Sequence, residues 1–400
     1  MYRIPVEHAI LPSPAAPGIK TLPPLSLYLH IPWCIRKCPY CDFNSHESKG
    51  ELPEIEYCAA LLRDLELSLP LVWGRRIYSI FIGGGTPSLF SAQSIDAILS
   101  DVRARLPLAS DCEITLEANP GTFEAEKFND FRAAGVTRLS LGIQSFNPRH
   151  LKALGRIHDD NEARRAIESA AHAFDNVNLD LMYALPGQSV DEALRDAEEA
   201  VSWNTAHLSF YRLTIEPDTV FHRRPPVIPD ADAAAAIEDA VHQTLAQAGF
   251  DQYETSAFAR AGRRCRHNLN YWEFGDYLGL GAGAHSKLSF PDRILRQART
   301  KQPREYLKRV AAGEPVLEEK QLQRPDAVFE FMMNALRLTD GFPVALFQER
   351  TGLPISAASK PLDAAEARGL IVRDHQKIFP SELGRRFLND LLEMFLPQKR

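Results

Sequence analysis

The chain has 400 residues, long enough for a large α/β domain and a smaller second one. Lys and Arg number 46 against 52 Asp and Glu, and the net charge of −6 argues against a protein that mainly coats nucleic acid or an anionic membrane. Six cysteines are too few for a disulfide-stapled secreted scaffold. No apolar run approaches the ~18 residues of a membrane span, and no secretory signal is visible. We therefore expect a cytoplasmic protein with at most peripheral membrane contact.

Strand-like and helix-like segments alternate along the first 250 residues. The Pro-rich residues 1–24 predict a flexible leader. Six strand–helix units follow and predict a parallel α/β sheet, although their number alone does not say whether the sheet closes into a barrel. The predicted strands are 25–31, 76–82, 112–118, 137–143, 176–183 and 207–213; the predicted helices are about 53–69, 91–106, 124–134, 159–173, 190–202 and 230–248, with Ser91 and Asp159 as N-caps and Gly135 and Gly249 as stops.

The alternation ends near residue 250. Residues 251–259 predict one strand, 264–290 an irregular Gly- and aromatic-rich stretch, and 303–312 and 326–338 helices. A hairpin over 369–380 and a helix over 381–395 complete an order that resembles a winged helix. Because this unit is nearly neutral and has no basic recognition helix, we favour a packing or lid domain over nucleic-acid binding. The predicted units are 1–24, 25–250, 251–325 and 326–400.

Three cysteines with C-x3-C-x2-C spacing follow the first predicted strand: Cys34, Cys38 and Cys41. Three thiolates on one loop can face one centre, and soft sulfur ligands select zinc or an iron–sulfur cluster. A structural zinc ion needs a fourth ligand, which would be His30 or His46. A [4Fe–4S] cluster held by three cysteines leaves one iron open to bind another molecule.

The cysteine loop resembles the cluster motif of radical S-adenosylmethionine (radical-SAM) proteins. In that family the open iron binds the amino and carboxylate groups of SAM, and one electron from the cluster cleaves its S–C bond. Polar or glycine motifs at the ends of successive strands fit this resemblance, since the active face of β/α barrels lies at that edge. These motifs are GGGTP (83–87), LEANPG (116–121), LGIQSF (141–146) and LDLMYALPG (179–187).

Together with YLHIPWC (28–34), these motifs resemble the oxygen-independent coproporphyrinogen III oxidase family of radical-SAM proteins. The resemblance covers about residues 24–400. It implies a partial (β/α) barrel of about six strand–helix units and a smaller, mainly helical C-terminal domain. By the same resemblance Cys34, Cys38 and Cys41 would hold the cluster, and the SAM site would comprise Tyr28, Gly84, Gly85, Thr86, Glu117, Gln144, Arg156 and Asp180.

Two departures indicate a branch of that family. The oxidases carry a further cysteine two places after the third, where this chain has Phe43. The segment HNLNYW (267–272) resembles the haem-binding motif of the oxidase-like haem chaperones. A neutral imidazole is a good axial ligand for haem iron, so His267 is the predicted haem ligand, with Cys265 a weaker alternative. The nearby Arg260, Arg263, Arg264 and Arg266 could pair with the propionates.

The sequence thus predicts a chaperone that binds a [4Fe–4S] cluster, SAM and haem and delivers haem to an apo-haemoprotein, with a respiratory or membrane-side acceptor in view. The alternative is the oxidase itself, which decarboxylates two propionates of coproporphyrinogen III. Whether SAM is cleaved, whether haem attaches covalently, whether the chain forms an oligomer and what His285 does stay open. The Gly-rich segment 278–287 does not open a helix, so a dinucleotide site there is not expected.

Overall fold

Six parallel strands pair in chain order, as the alternating sequence pattern predicts. The computed structural model describes residues 18–121 and 125–397. Each strand pairs with the next in the sequence, and helices cross over between them. The strands are β1 Leu25–Ile31, β2 Ile77–Gly84, β3 Leu108–Ala118, β4 Arg138–Gln144, β5 Val177–Tyr183 and β6 His207–Arg212.

The predicted helices between these strands are present, and their N-caps are those the sequence indicates. The side chain of Ser91 accepts from Ser94 N, and Asp159 forms a capping box with Glu162. Gly135 and Gly249 follow helix ends, as predicted. The helices are α1 Glu54–Val72, α2 Ala92–Arg105, α3 Phe128–Ala133, α4 Pro148–Ala153, α5 Asp160–Ala173, α6 Val190–Ser202, α7 Val220–Arg223 and α8 Ala231–Gln247. The predicted start of the third helix at residue 124 lies outside the described residues.

The second half of the chain extends the sheet further than the sequence analysis predicts. Residues 251–259 form a hairpin of two short strands instead of one strand, and 264–290 contain a helix and two strands instead of an irregular loop. The composition of 264–290 hid these elements because glycines interrupt both strand and helix patterns. The elements are β7 Asp251–Glu254, β8 Ala257–Ala259, α9 Arg266–Trp272, β9 Asp276–Leu280, β10 His285–Ser289, β11 Ile294–Arg299, α10 Pro303–Ala311 and β12 Val316–Gln321.

The twelve strands form one open sheet. Their order is β12-β11-β10-β9-β1-β2-β3-β4-β5-β6-β8-β7, and the two end strands do not pair with each other in the described part of the chain. Strand β9 pairs with β1 in parallel, whereas β8 pairs with β6 in antiparallel fashion. The parallel strands therefore form a partial barrel that antiparallel strands extend on both sides.

Alternation along the strands separates two environments. On β1, the side chains of Leu25, Leu27 and Leu29 belong to the large apolar core under the helices. Those of Ser26 and His30 face the other side, where Ser26 bonds Ser79 of the neighbouring strand. The concave side of the barrel is therefore polar along its length, and it holds the groups described below.

The C-terminal residues form a winged-helix-like unit with its own apolar core. The predicted hairpin over 369–380 is present, and a third strand joins it. The predicted helix over 381–395 is two helices that meet at Phe387, whose backbone leaves the helical region (φ −113°, ψ 44°). The elements are α11 Arg324–Ala335, β13 Phe342–Pro343, α12 Val344–Thr351, α13 Ser359–Ala367, β14 Ile371–Arg373, β15 Lys377–Pro380, α14 Glu382–Arg386 and α15 Leu388–Glu393.

The sequence predicts a flexible leader over residues 1–24, and positions 1–17 of that leader lie outside the described residues. From Gly18 onward the chain packs against the fold: Ile19 is buried, and the Pro23 carbonyl accepts from Arg75. Within residues 18–121 and 125–397, no helix is both long and apolar enough to cross a membrane.

Candidate functional site

A pocket of about 380 Å³ opens at the carboxyl ends of the parallel strands. The strand ends converge there because every parallel strand runs toward the same edge of the sheet. Ten of the twelve predicted site residues line this pocket; Tyr28 and His267 do not. The ten are Cys34, Cys38, Cys41, Gly84, Gly85, Thr86, Glu117, Gln144, Arg156 and Asp180.

All three loop cysteines are free thiols that face this pocket. Burial raises the pKa of the Cys34 and Cys41 thiols. Arg156 lies beside Cys38, with its Nη1 3.6 Å from Sγ. Three half-buried, unbridged thiols next to a fixed guanidinium are a donor set that suits a metal cluster with net negative charge.

The same geometry disfavours a zinc site with a histidine as the fourth ligand. The His30 Nε2 atom lies 2.9 Å from the Asn44 carbonyl oxygen, and its Nδ1 lies 2.9 Å from the Tyr28 hydroxyl. The His46 Nε2 atom bonds the Lys301 carbonyl oxygen. In the described part of the chain, no three His, Cys, Asp or Glu residues are grouped as ligands of one metal ion. Neither histidine is therefore placed to serve as the fourth ligand of a zinc ion at this loop.

Two carboxyl groups face each other across the pocket floor. Burial and the charge of Asp180 together raise the pKa of Glu117 to about 7, against the opposing effects of a hydrogen bond from Gly84 N and the charge of Arg138. Burial also raises the pKa of Asp180, although Ser140 and Asn178 donate to its oxygens. Two carboxyl groups with raised pKa values that line one pocket form a site that favours a positively charged ligand, although the charge of Arg138 acts on both.

Two backbone features shape the pocket wall. Gly84 has φ +116°, and a Cβ there would lie 2.6 Å from the His30 ring, so no other residue fits. Gln144, although not a glycine, has φ +69° at the end of β4. A strained residue of this kind costs about 1–2 kcal/mol and is typical of a functional position.

The pocket also contains residues that the sequence analysis did not name, and Tyr28 does not line it. Asn119, Tyr40 and Tyr211 also line the pocket, and Asn119 accepts from Arg156 at 2.6 Å. Tyr211 could have been found by alternation, because it shares a face of β6 with Ser209. Tyr28 lies beneath the pocket, where its ring stacks on Phe81 and its hydroxyl contacts His30.

His267 lies outside this pocket, toward the end of the barrel where the parallel strands begin, and its ring centroid is 5.0 Å from that of Phe81. It belongs to the first turn of α9, which packs on β1, β2 and β9 and closes that end. His267 is 3% exposed, and its Nδ1 lies 3.0 Å from the Ser79 hydroxyl. Its Nε2 atom is buried without a hydrogen-bond partner. Burial lowers the pKa of His267 to about 3, so the ring is neutral.

The rest of the HNLNYW segment also anchors α9. Glu113 Oε1 accepts from three donors at its N-terminus, namely Arg266 N, His267 N and the Cys265 thiol, at 3.0–3.4 Å. The Asn270 amide donates to Ser26 and to the Asp276 carbonyl oxygen. The helix thus plugs the barrel end.

Several expectations for the surroundings of His267 need correction. The arginines form other contacts: Arg264 pairs with Asp340, Arg266 with Asp111, and Arg260 bonds Asn204. The guanidinium carbon of Arg337, in the C-terminal unit, lies over the Trp272 ring, 4.4 Å from the centroid of that ring. Three of the four arginines are thus engaged in contacts of the folded chain. His285 is exposed at the start of β10 and does not line the central pocket.

The fold and the pocket define a radical SAM protein. The family model described as Radical SAM superfamily matches residues 28–200, and the one described as HemN C-terminal domain matches 322–387. The structure of coproporphyrinogen III oxidase (HemN) from Escherichia coli, a radical SAM enzyme, superposes with a TM-score of 0.79 at 23% identity. The match covers 95% of this chain and 92% of that one, which shows the shared fold.

Relatives with known names narrow the assignment. "Heme chaperone HemW" of Escherichia coli is 51% identical over 381 residues, 94% of this chain and 99% of the relative. The Mycobacterium tuberculosis (strain CDC 1551 / Oshkosh) protein of the same name is 37% identical over 82% of this chain and 86% of the relative. The mouse protein "Radical S-adenosyl methionine domain-containing protein 1, mitochondrial" is 34% identical over 97% of this chain and 90% of its own length. The chain belongs to the HemW family of radical SAM proteins.

Proposed function

We propose that this protein is a haem chaperone, which binds haem and passes it to an apo-haemoprotein. The observation that carries this proposal is the 51% identity to "Heme chaperone HemW" over nearly the whole of both chains. Phe43 supports it, because this side chain lines the pocket at the place where the oxidases carry a further cysteine.

Cys34, Cys38 and Cys41 are the residues that would hold a [4Fe–4S] cluster in the pocket. Glu117, Asp180 and the backbone at Gly84, Gly85 and Thr86 would hold SAM, whose sulfonium and ammonium charges suit the carboxyl groups. Gln144 and Arg156 would complete that site, and Tyr28 would support it from below. The chemistry that these two groups supply when bound together is one-electron cleavage of a sulfonium S–C bond.

His267 is the proposed haem ligand, and its free Nε2 atom is the nitrogen that could bind iron. Because the packing of α9 against the strands buries this atom, iron can reach it only if the helix moves away from the end of the barrel. Lifting breaks the contacts to Glu113 and Ser79, so haem would bind in competition with the plug. Residues 251–325 would then be the haem-binding and connecting region between the barrel, 25–250, and the C-terminal unit, 326–400.

An optical haem titration of the anaerobically reconstituted protein tests this function. We expect saturable 1:1 binding with a shifted Soret band, and loss or displacement of that band in His267→Ala. A matched control is His150→Ala, since His150 is equally buried but lies on α4, away from α9. The control should bind haem as the native chain does.

Two results would contradict the proposal. If haem does not bind stoichiometrically to the native chain, the proposed chaperone function is wrong. Turnover of coproporphyrinogen III with SAM cleavage would show that the protein is the oxidase instead. Haem that binds identically without His267 would leave the chaperone function standing but remove this ligand.

A further inference from the structure

The Gly-rich segment 278–287 has no role in the site described so far, yet it lies against the cysteine loop. It comprises the end of β9, a turn and the start of β10. At Gly283 (φ +80°) a Cβ would collide with the side-chain amide of Asn44. Asn44 lies three residues after Cys41 in the sequence, so this segment is a wall of the cysteine loop.

Asn44 joins the loop to two separate parts of that wall. Its Nδ2 donates to the carbonyl oxygens of Ala282 and Lys301, each at 2.9 Å. The His46 Nε2 atom reaches the same Lys301 carbonyl and the Asn44 Oδ1, at 3.2 and 3.3 Å. An amide that donates to two carbonyls 19 residues apart in the chain fixes its own position without any help from a metal.

His30 holds Asn44 from the other side. Because the Asn44 carbonyl oxygen can only accept, the proton of the His30 ring lies on Nε2, and Nδ1 accepts from the Tyr28 hydroxyl. The His30 ring is 4% exposed and is packed against Gly84. The contacts therefore run from the barrel interior, through Tyr28 and His30, to the cysteine loop.

Further contacts tie the loop at its two ends. The His46 backbone N–H donates to the Pro32 carbonyl oxygen, and the Ser48 N–H to that of Cys34. Lys37 donates to the carbonyl oxygens of Phe43 and Ser45. The loop thus has a defined conformation built from polar contacts of the polypeptide alone.

We propose that His30 and Asn44 are positioning residues that hold the cysteine loop in its cluster-binding conformation before the cluster is inserted. The Gly-rich segment is the wall on which Asn44 rests. The inference depends on the proposal that Cys34, Cys38 and Cys41 bind the cluster. It goes beyond that proposal because it assigns two residues that touch neither the cluster nor SAM.

Hydrogen exchange of the cluster-free full-length chain tests the preformed loop directly. In Asn44→Ala three side-chain hydrogen bonds are lost, so we expect amides of residues 35–48 to exchange about tenfold faster, with the barrel strands unchanged. Lys49→Ala, at an exposed position just beyond the loop, is the matched control and should exchange like the native chain.

Cluster retention gives the second readout. After anaerobic reconstitution, Asn44→Ala and His30→Leu should lose iron to a chelator about tenfold faster than the native chain, in proportion to the loosened loop. His30→Gln should restore much of the retention, because its amide can donate to the Asn44 carbonyl oxygen. The Gln variant also controls for a misfolded Leu variant.

The outcomes separate this inference from the proposed function. If the native chain takes up no cluster, the cluster site itself is wrong, whereas the exchange data still report on the loop. If the native chain binds a cluster, but Asn44→Ala matches it in both exchange and iron loss, the positioning role is overturned. Equal iron loss in His30→Gln and His30→Leu would likewise remove the role of the His30 hydrogen bond.

Discussion

The two ends of the barrel carry similar acidic residues in different environments. At the open end, Glu117 and Asp180 line the pocket with raised pKa values and form no ion pair among the described residues, and three free thiols line the same pocket. At the closed end, one carboxyl oxygen of Glu113 accepts all three hydrogen bonds from the N-terminus of α9. Burial and polarity alone therefore do not mark a ligand site; the additional sign at the open end is a pair of carboxyl groups with raised pKa values that line a pocket.

The largest effect is expected at the closed end. Glu113→Ala removes the acceptor of three buried donors and a charge opposed to that of the buried Arg138, so the free energy of unfolding should fall by about 4 kcal/mol. Asp111→Ala is the control, since it breaks only the exposed pair with Arg266 and should cost less than about 1 kcal/mol. Thermal unfolding of the cluster-free protein measures both. Equal losses in the two variants would contradict the plug.

At the open end, removing a carboxylate should stabilise the cluster-free chain. The pKa of Glu117 is about 7 when folded and 4.5 when unfolded, so the folded state holds the proton between these values and stability falls as pH rises through them. Glu117→Gln stays neutral and should be about 3 kcal/mol more stable than the native chain at pH 8. Unfolding at pH 4 and pH 8 checks this. An unchanged pH slope would show that Glu117 ionises normally.

The buried histidine of the plug should give the opposite pH dependence. The pKa of His267 is about 3 when folded and 6.5 when unfolded, so its contribution is complete above pH 6.5 and is lost as pH falls toward 3. Between pH 7 and pH 5 the loss is about 2 kcal/mol, one and a half pKa units. Between pH 7 and pH 5, the His267→Gln variant should therefore lose about 2 kcal/mol less stability than the native chain. The prediction fails if both chains respond to acid alike.

The smallest expected effect concerns the hydrogen bond between Ser79 and His267. Ser79→Ala should cost about 1 kcal/mol and leave SAM binding at the open end unchanged. If the plug must lift before haem binds, this variant should also bind haem slightly faster in stopped-flow mixing. Slower binding would mean that Ser79 assists the ligand instead of holding it back.

The sequence predicted the parallel strands well because each has a strong local pattern. The LSLYLHI run and the capping signals at Ser91 and Asp159 are readable without tertiary information. The pocket residues were also accessible, since parallel strands must end at one edge. Tyr28 shows the limit: alternation places it on the concave side, but the depth at which it lies depends on strand tilt and stagger, which local patterns do not encode.

The plug lay beyond sequence reasoning for a different reason. His267 and Cys265 belong to a helix of seven residues whose stability comes from Glu113 and Ser26, both more than 150 residues away. Such a short helix has no readable periodicity and little stability of its own. The sequence also did not reveal that segment 278–287 is the wall on which Asn44 rests. The glycines of this segment are needed because a loop distant in the sequence approaches it closely, which no local pattern shows.

The two outer edges of the sheet have different means of protection against unwanted strand pairing. Strand β12 is exposed along most of its length, and its sequence VLEEKQ presents Glu318, Glu319 and Lys320 to solvent. Charged side chains on an edge strand discourage a second chain from adding to it. At the other edge, Glu254 of β7 forms a bridge with Leu338, so the chain following α11 covers part of that strand. Neither edge of the twelve-stranded sheet is therefore a long, bare strand open to pairing with a second chain.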